Sequence, residues 1–178
     1  LLQMARADTS IGAVGSVIYD LDSPHTLQLW GGGTVNTLLG TSHLLKSPGP
    51  VDFLSGASLL LRVEALRQVG AFDDQNFFMY WEDTDLGRRL TNAGWRLAVA
   101  PGSQVWHAES SSLGKGSPLR NEYFTRSAIA FMKKHSRLPG LSIALNALLR
   151  IGKQLYLFQW SDALDLAKLY LRILKDSK

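Results

Sequence analysis

The residues with the clearest chemical potential are the five carboxylates between positions 73 and 85. Three of them, Glu82, Asp83 and Asp85, begin a segment, 82–93, whose apolar residues recur with helical spacing. A helix N-terminus stabilises an ionised carboxylate by roughly 0.3 to 1 kcal/mol, so we expect these groups to be charged at neutral pH. The pattern suits a helix cap, a metal ligand or a general base.

The sequence before these acids favours a chemical role. Residues 77–81, Phe-Phe-Met-Tyr-Trp, form an uninterrupted apolar and aromatic run. We therefore expect the carboxylates to lie beside apolar side chains, partly buried, rather than fully exposed to solvent. Partial burial raises the pKa of a carboxylate and makes it a better proton acceptor.

The elements that must position these acids alternate between strands and helices. Strands are predicted at 11–19, 58–62, 95–100 and 104–107, and helices at 63–69 and 82–93. Residues 20–50, rich in Gly and Pro, indicate irregular structure with a short hairpin, where a substrate loop could lie. Further helices are predicted at 119–135, 141–158 and 161–175. The predicted fold class is α/β followed by helices.

Composition excludes several classes of protein. The 178 residues are 46% apolar, as in globular domains, and contain no cysteine. Disulfides and thiolate catalysis are therefore excluded, any metal must be held by oxygen or imidazole, and a reducing, cytoplasmic compartment is expected. No uncharged run reaches the roughly 18 to 20 residues that span a bilayer. Because the chain opens with Leu1 inside an apolar stretch, we interpret it as part of a longer protein.

The charge is distributed unevenly. Residues 1–112 hold 7 basic and 11 acidic side chains, whereas residues 113–178 hold 12 basic and 4 acidic ones. The basic helices at 141–158 and 161–175 could lie on an anionic membrane surface, or pack on the sheet or on a second subunit. They carry no RRM, KH or zinc pattern, so nucleic acid is not an expected partner.

A series of short motifs follows a fixed order along the chain. They are Gly56-Ala-Ser, Val69-Gly-Ala-Phe-Asp, Phe78-Met-Tyr-Trp-Glu-Asp-Thr-Asp-Leu, Arg88-Arg-Leu and Val105-Trp-His. With this set the chain resembles the C-terminal half of family 2 glycosyltransferases, and most of all their rhamnosyltransferase-like members. The resemblance runs from about Ile11 to His135. It implies that 1–112 is the C-terminal part of a GT-A catalytic domain and that 113–178 is a basic helical tail.

The resemblance assigns roles on the acceptor side of the reaction. Asp83, the Asp of the family's Glu-Asp motif, would be the general base that takes the proton from an acceptor hydroxyl. Glu82 would border the acceptor and help to orient it. Trp81 is the candidate for stacking against an acceptor sugar, because aromatic faces suit the C–H-rich faces of sugars.

The resemblance also assigns roles on the donor side. Gly56 matches a glycine whose missing side chain lets the backbone approach the donor sugar. His107 matches a histidine that completes the coordination of a divalent cation, Mg²⁺ or Mn²⁺, on the donor diphosphate. Lys115, in the segment 110–116, could reach the diphosphate when that loop closes; a plain linker is the alternative.

Two positions depart from the family pattern. The first is the absence of the family's metal-binding Asp-x-Asp motif. Asp20-Leu-Asp22 matches the Asp-x-Asp pattern but follows the wrong strand, and we predict that Asp20 and Asp22 are turn carboxylates. The resemblance places the true motif before Leu1, so the chain alone is predicted to be inactive. Ser127 replaces the Asn of a Tyr-x-x-Arg-Asn pattern, which removes the basis for assigning that motif a role.

The resemblance implies an inverting, metal-dependent transfer of a sugar from a nucleotide-sugar donor to a hydroxyl on a saccharide or lipid-linked acceptor. The resemblance also implies a place in bacterial cell-surface polysaccharide synthesis, in the cytoplasm at the inner face of the membrane. A homo-oligomer would be compatible with this function. The alternative is a carbohydrate-binding or assembly module that kept the scaffold and lost the chemistry. An Asp-x-Asp upstream of the chain would favour catalysis.

Overall fold

A computed structural model describes residues 1–108 and 117–176 of the protein. The α/β part comprises α1 (Leu2–Ala7), β1 (Ile11–Asp20), β2 (Leu27–Leu29), β3 (Gly32–Asn36), β4 (Thr41–Leu44), β5 (Phe53–Leu54), β6 (Leu59–Leu61), α2 (Val63–Val69), α3 (Glu82–Asn92) and β7 (Arg96–His107). Three helices follow, α4 (Pro118–His135), α5 (Pro139–Tyr156) and α6 (Trp160–Asp176). The predicted fold class, α/β followed by helices, is confirmed.

Strand β1 lies at the centre of the main sheet. It pairs antiparallel with β2 and β6 and parallel with β7, and its residues 11–18 are buried. The Val- and Ile-rich run that predicted this strand reflects burial on both faces of the sheet.

Strand β7 corrects one prediction. The sequence predicted two strands, 95–100 and 104–107, interrupted at Pro101. The structure has one strand, in which the pairing with β1 passes from Ala100 to Gln104 across a bulge. The bulge leaves Pro101 outside the ladder, where its missing N–H costs no strand hydrogen bond.

Residues 20–50 contain more regular structure than predicted. Besides β2, they form the hairpin β3–β4, and β5 completes a second small sheet in the order β4-β3-β5. A Cβ atom on Gly32 would lie 2.0 Å from the Phe53 carbonyl oxygen, so the approach of β3 to β5 requires glycine there. Glycine-rich strands lack the alternation that identifies strands in a sequence.

The predicted helices are confirmed. The helix predicted at 63–69 has those bounds and ends at Gly70 with a φ of 83°. Helices α4 and α5 begin one and two residues before their predicted starts, because Pro118 and Pro139 occupy the first turn, where the missing N–H has no helical partner anyway.

Helices α4 to α6 share a hydrophobic core with the loop before α3. Phe77 and Trp81 from that loop pack with Phe131, Ile143 and Tyr170 from the three helices. The division predicted between 112 and 113 falls outside the described residues. No helix in the described ranges is both long and apolar enough to cross a bilayer.

A buried carboxylate ties α3 to α4. The side chain of Asp85 is fully buried and accepts from Arg89 Nε at 2.7 Å, His135 Nε2 at 2.7 Å and Lys134 Nζ at 2.9 Å. Burial alone would raise the pKa of Asp85, but the hydrogen bonds from His135, Lys134 and Arg89 outweigh it and lower the pKa to about 2. Lys134 also pairs with Asp73 at 2.7 Å.

We predict that Asp85→Asn lowers the free energy of unfolding by about 3 to 5 kcal/mol, because it removes the counter-charge of the largely buried Arg89 guanidinium and a buried acceptor of His135 and Lys134. Urea unfolding at neutral pH measures this change. Since the folded pKa is depressed, the contribution of Asp85 is present above its ordinary pKa of 3.8 and is lost as the pH falls towards 2.

The control is Asp74→Asn, which removes an exposed carboxylate from the same region and should leave the stability unchanged. Equal stability of Asp85→Asn and Asp74→Asn would show that the network does not hold the helices together.

Candidate active site

The chain makes a strained turn immediately before α3. Tyr80 and Trp81 adopt φ values of 67° and 68°, in the left-handed region that residues other than glycine rarely occupy. Such residues cost of order 1 to 3 kcal/mol each and persist only where the surroundings hold them. The turn starts α3 at Glu82 and so sets the direction of Glu82 and Asp83.

Helix α4 holds this turn from one side. The Ser127 hydroxyl donates to the Met79 carbonyl at 2.8 Å, and the Trp81 ring lies 4.9 Å from that of Phe131, centroid to centroid. Phe124 contacts both Tyr80 and Trp81, with centroids 5.8 Å apart in each pair. Ser127, where the family pattern has Asn, thus supports the backbone of the turn, a role that the sequence did not predict.

Hydrogen bonds fix the orientation of Asp83. Its Oδ1 accepts from the Thr84 backbone N–H at 2.7 Å and from the Thr84 hydroxyl at 3.2 Å, and its Oδ2 accepts from the Gly56 N–H at 3.1 Å. Burial raises the pKa of Asp83 above 3.8, and these hydrogen bonds oppose the rise. The structure therefore places Asp83, which the resemblance assigned to the acceptor side, in direct contact with Gly56, which it assigned to the donor side.

Glu82 carries an unsatisfied oxygen. Its Oε2 is buried and has no hydrogen-bond partner among the described residues. Burial raises the pKa of Glu82, and the neighbouring charge of Asp83 raises it further. A buried acceptor without a partner is uncommon in folded proteins, and a ligand hydroxyl would satisfy it.

The space around Gly56 is open. A Cβ atom built there would meet only Asp83, at 3.9 Å or more, whereas the same atom on Gly32 would collide with backbone. Packing within the described chain therefore does not require glycine at position 56. The open space beside Asp83 is available to a ligand.

Trp81 belongs to the core. The side chain is 4% exposed and packs against Phe124 and Phe131. Stacking a sugar needs an accessible ring face, so the structure does not present Trp81 as the surface that the sequence suggested. Phe78, three residues earlier, is 75% exposed and lies 5.1 Å from the Tyr123 ring. The apolar and aromatic run at residues 77–81 did not indicate which of its rings would face solvent.

His107 ends β7, paired with Asp20 of β1. Its Nδ1 lies 3.2 Å from Gln28 Oε1. An amide oxygen can only accept, so this contact is a hydrogen bond when Nδ1 carries a proton, and Nε2 takes no part in it. Among the described residues, no side-chain hydrogen bond connects His107 with Asp83.

The described residues contain no group of three or more His, Asp or Glu side chains arranged to hold a metal ion. His107 could contribute one ligand, and the rest of a coordination shell would have to come from elsewhere. Asp20 is a turn carboxylate, as predicted, because its Oδ1 accepts from the N–H groups of Asp22 and Ser23 at 2.8 and 2.9 Å. Lys115 lies outside the described residues.

Comparison with known proteins identifies relatives. The model of the family described as "Glycosyltransferase like family 2" matches residues 1–121. N-acetylglucosaminyl-diphospho-decaprenol L-rhamnosyltransferase from Mycobacterium tuberculosis (strain H37Rv) is 35% identical over 133 residues, 65% of this chain and 43% of that protein. Rhamnosyltransferase WbbL from Escherichia coli K12 is 42% identical over 57 residues, 32% of this chain and 21% of that protein. The chain therefore spans less than half the length of these relatives.

We predict that Ser127→Ala loosens the strained turn, because it removes the donor to the Met79 carbonyl. The expected loss of stability is about 1 to 3 kcal/mol, the range for a buried polar group left without its partner. Hydrogen exchange should be faster at the amides of residues 79–84. Ser161→Ala, at an exposed serine of α6, is the control; unchanged exchange in Ser127→Ala would contradict a supporting role for α4.

Proposed function

The chain belongs to glycosyltransferase family 2, and on that premise we propose that it carries the general base and the acceptor side of a sugar-transferring enzyme with a GT-A fold. The donor is a nucleotide sugar and the acceptor a hydroxyl group. The observation that carries the proposal is Asp83, a partly buried carboxylate with both oxygens oriented by hydrogen bonds, beside the open space at Gly56.

In the proposed reaction the acceptor hydroxyl gives its proton to Asp83 while its oxygen bonds to the anomeric carbon of the donor sugar. The bond from that carbon to the diphosphate breaks, and the nucleotide diphosphate leaves with the electron pair. Direct displacement, with no covalent enzyme intermediate, inverts the anomeric configuration. The hydrogen bonds from Thr84 and Gly56 keep the carboxylate from rotating away from the acceptor.

Two further side chains would place the acceptor. The unpartnered Oε2 of Glu82 would accept from a second acceptor hydroxyl, which also removes the cost of leaving that oxygen buried and unbonded. Phe78 would present its exposed ring to a sugar face in the role that the sequence suggested for Trp81. Trp81 would act as support beneath the site.

On the donor side, the open space at Gly56 would admit the donor sugar. His107 would give its Nε2 to a divalent cation, Mg²⁺ or Mn²⁺, with the remaining ligands supplied by the diphosphate and by groups beyond the described residues. Such a cation, when bound, neutralises charge on the departing diphosphate. Lys115 would add a positive charge near the same group.

The relatives suggest the chemistry of the substrates. One is named for transfer of L-rhamnose to N-acetylglucosaminyl-diphospho-decaprenol. We extend this to an acceptor saccharide linked to a membrane lipid, used at the inner face of the membrane in bacterial cell-surface polysaccharide synthesis. Residues 1–112 would belong to the catalytic domain, and 113–178 would form its helical tail. A homo-oligomer would be compatible with this arrangement.

We predict that Asp83→Asn, in the protein that contains this chain, lowers the rate of transfer by about 100-fold to 10,000-fold, because an amide cannot take the proton. Nucleotide binding, measured by calorimetry, should remain nearly unchanged. Asp74→Asn serves as the matched exposed control. Transfer within a few-fold of wild type would remove Asp83 from the mechanism. Absence of transfer by the wild type itself would favour the alternative, a carbohydrate-binding module.

We predict that Gly56→Ala folds with unchanged stability but raises the KM for the nucleotide sugar, because the added methyl group enters space that only a ligand would fill. Thermal unfolding and steady-state kinetics separate the two effects. Gly32→Ala is the contrasting variant: its Cβ atom meets backbone, so it should lose stability. An unchanged KM in Gly56→Ala would place the donor elsewhere.

A further inference from the structure

Helices α5 and α6 and the turn between them expose an unusual amount of apolar surface. Six large apolar side chains there are at least 60% exposed: Leu148, Tyr156, Phe158, Trp160, Leu164 and Leu171. We call this surface the hairpin face. Concentrated exposed apolar area of this kind marks a site of interaction rather than ordinary surface.

The apolar residues of the hairpin face follow the helical repeat but lie away from the core. Trp160, Leu164 and Leu171 occur at positions i, i+4 and i+11, which at about 100° per residue places them within a narrow stripe along α6. The core side of α6 is separate and is formed by residues such as Leu166 and Tyr170. The helix therefore has two apolar sides, and intramolecular packing uses one of them.

The turn itself carries backbone strain at an exposed ring. Phe158 has a φ of 57°, at a position after a helix end where glycine is the usual residue, and its side chain is 79% exposed. The ring contributes little packing to the fold, and the backbone conformation costs free energy. A strained, exposed aromatic residue at this position is explained by a contact outside the chain.

The charges beside the hairpin face indicate what that contact is. Lys168 and Lys175 lie along one border of the α6 stripe by helical spacing, and Lys153 is in the last turn of α5. The acidic residues Asp162 and Asp165 lie farther around α6, where both line a cavity with Arg172. Lys168 forms one long ion pair, 3.7 Å to Asp165, between two highly exposed side chains.

We propose that the hairpin face binds the surface of an anionic lipid bilayer, with Tyr156, Phe158 and Trp160 entering the interface between head groups and acyl chains. Tyr and Trp are the residues that favour this interface, and the bordering lysines complement anionic head groups. A two-fold dimer through the same face would instead bring the lysines of two copies towards each other. The inference deepens the proposed function and rests on it for its purpose, which is to hold the site near a lipid-linked acceptor.

The test is flotation of the full chain with phosphatidylcholine vesicles, with and without phosphatidylglycerol, at low and high salt. We expect binding to the anionic vesicles that weakens with salt. Phe158→Gly is the decisive variant, because glycine suits the left-handed backbone and should keep or raise the melting temperature while binding falls about tenfold or more. Replacing Lys168 and Lys175 with Gln should weaken binding by about fivefold for each lysine.

Leu44→Ser, which alters an exposed leucine of β4, is the control and should bind vesicles as the wild type does. Absence of binding to anionic vesicles, or equal binding by Phe158→Gly and wild type, would overturn the inference. So would a dimer that Phe158→Gly disperses while vesicles have no effect, since a second copy would then occupy the face.

The two proposals fail separately. Asp83→Asn should bind vesicles normally, so an active Asp83→Asn would defeat the proposed function without touching the membrane result. Phe158→Gly should retain transfer to a water-soluble acceptor, because the hairpin face takes no part in the reaction. Normal vesicle binding by this variant would defeat the membrane inference and leave the proposed function standing.

Discussion

The buried carboxylate of Asp85 is the interaction on which the rest of the structure depends. Through Arg89 it is connected to the end of α2, because the Arg89 guanidinium also donates to the carbonyls of Val69 and Ala71. Through Lys134 and His135 it is connected to α4. An ionised carboxylate without these partners would be too costly to bury, so helices α2, α3 and α4 can reach their arrangement only together. Because α3 begins with the acids of the candidate site, the same network fixes their position.

Helix α4 contributes to the site a second time, through its apolar and hydroxyl groups. The rings of Phe124 and Phe131 and the hydroxyl of Ser127 surround a turn whose two left-handed residues would otherwise relax. The orientation of Asp83 therefore depends on residues about forty positions later in the chain. The helices that follow the sheet therefore support the candidate site in addition to adding surface.

The buried carboxylate of the Asp85 network has hydrogen-bond partners on both of its oxygens, whereas the candidate site includes a carboxylate oxygen that has none among the described residues. Every oxygen of Asp85 is matched by a cationic donor, and its pKa is lowered to about 2. Two residues away, burial raises the pKa of Asp83, and Glu82 Oε2 has no protein partner within the described residues. A sequence folds most stably when its buried polar groups are satisfied, and the exceptions concentrate where a ligand completes them. The contrast between neighbouring carboxylates in one helical turn distinguishes the structural carboxylate, Asp85, from those of the candidate site, Glu82 and Asp83.

The sequence by itself determined the central strand β1, the helices α2 to α6 and the motif, but not the strands β3 to β5. Local periodicity and glycine caps are properties of neighbouring residues, so helices such as 63–69 and the carboxylates at the start of α3 were predictable, as was the turn at Asp20. Only the tertiary structure decided which carboxylate is the buried anchor and which faces Gly56, since Asp83 and Asp85 share one turn and differ only in what packs against each side of it. Trp81 was misjudged for the same reason: the rings that cover it come from α4. Burial depends on contacts between residues distant in sequence, and no local pattern encodes those contacts.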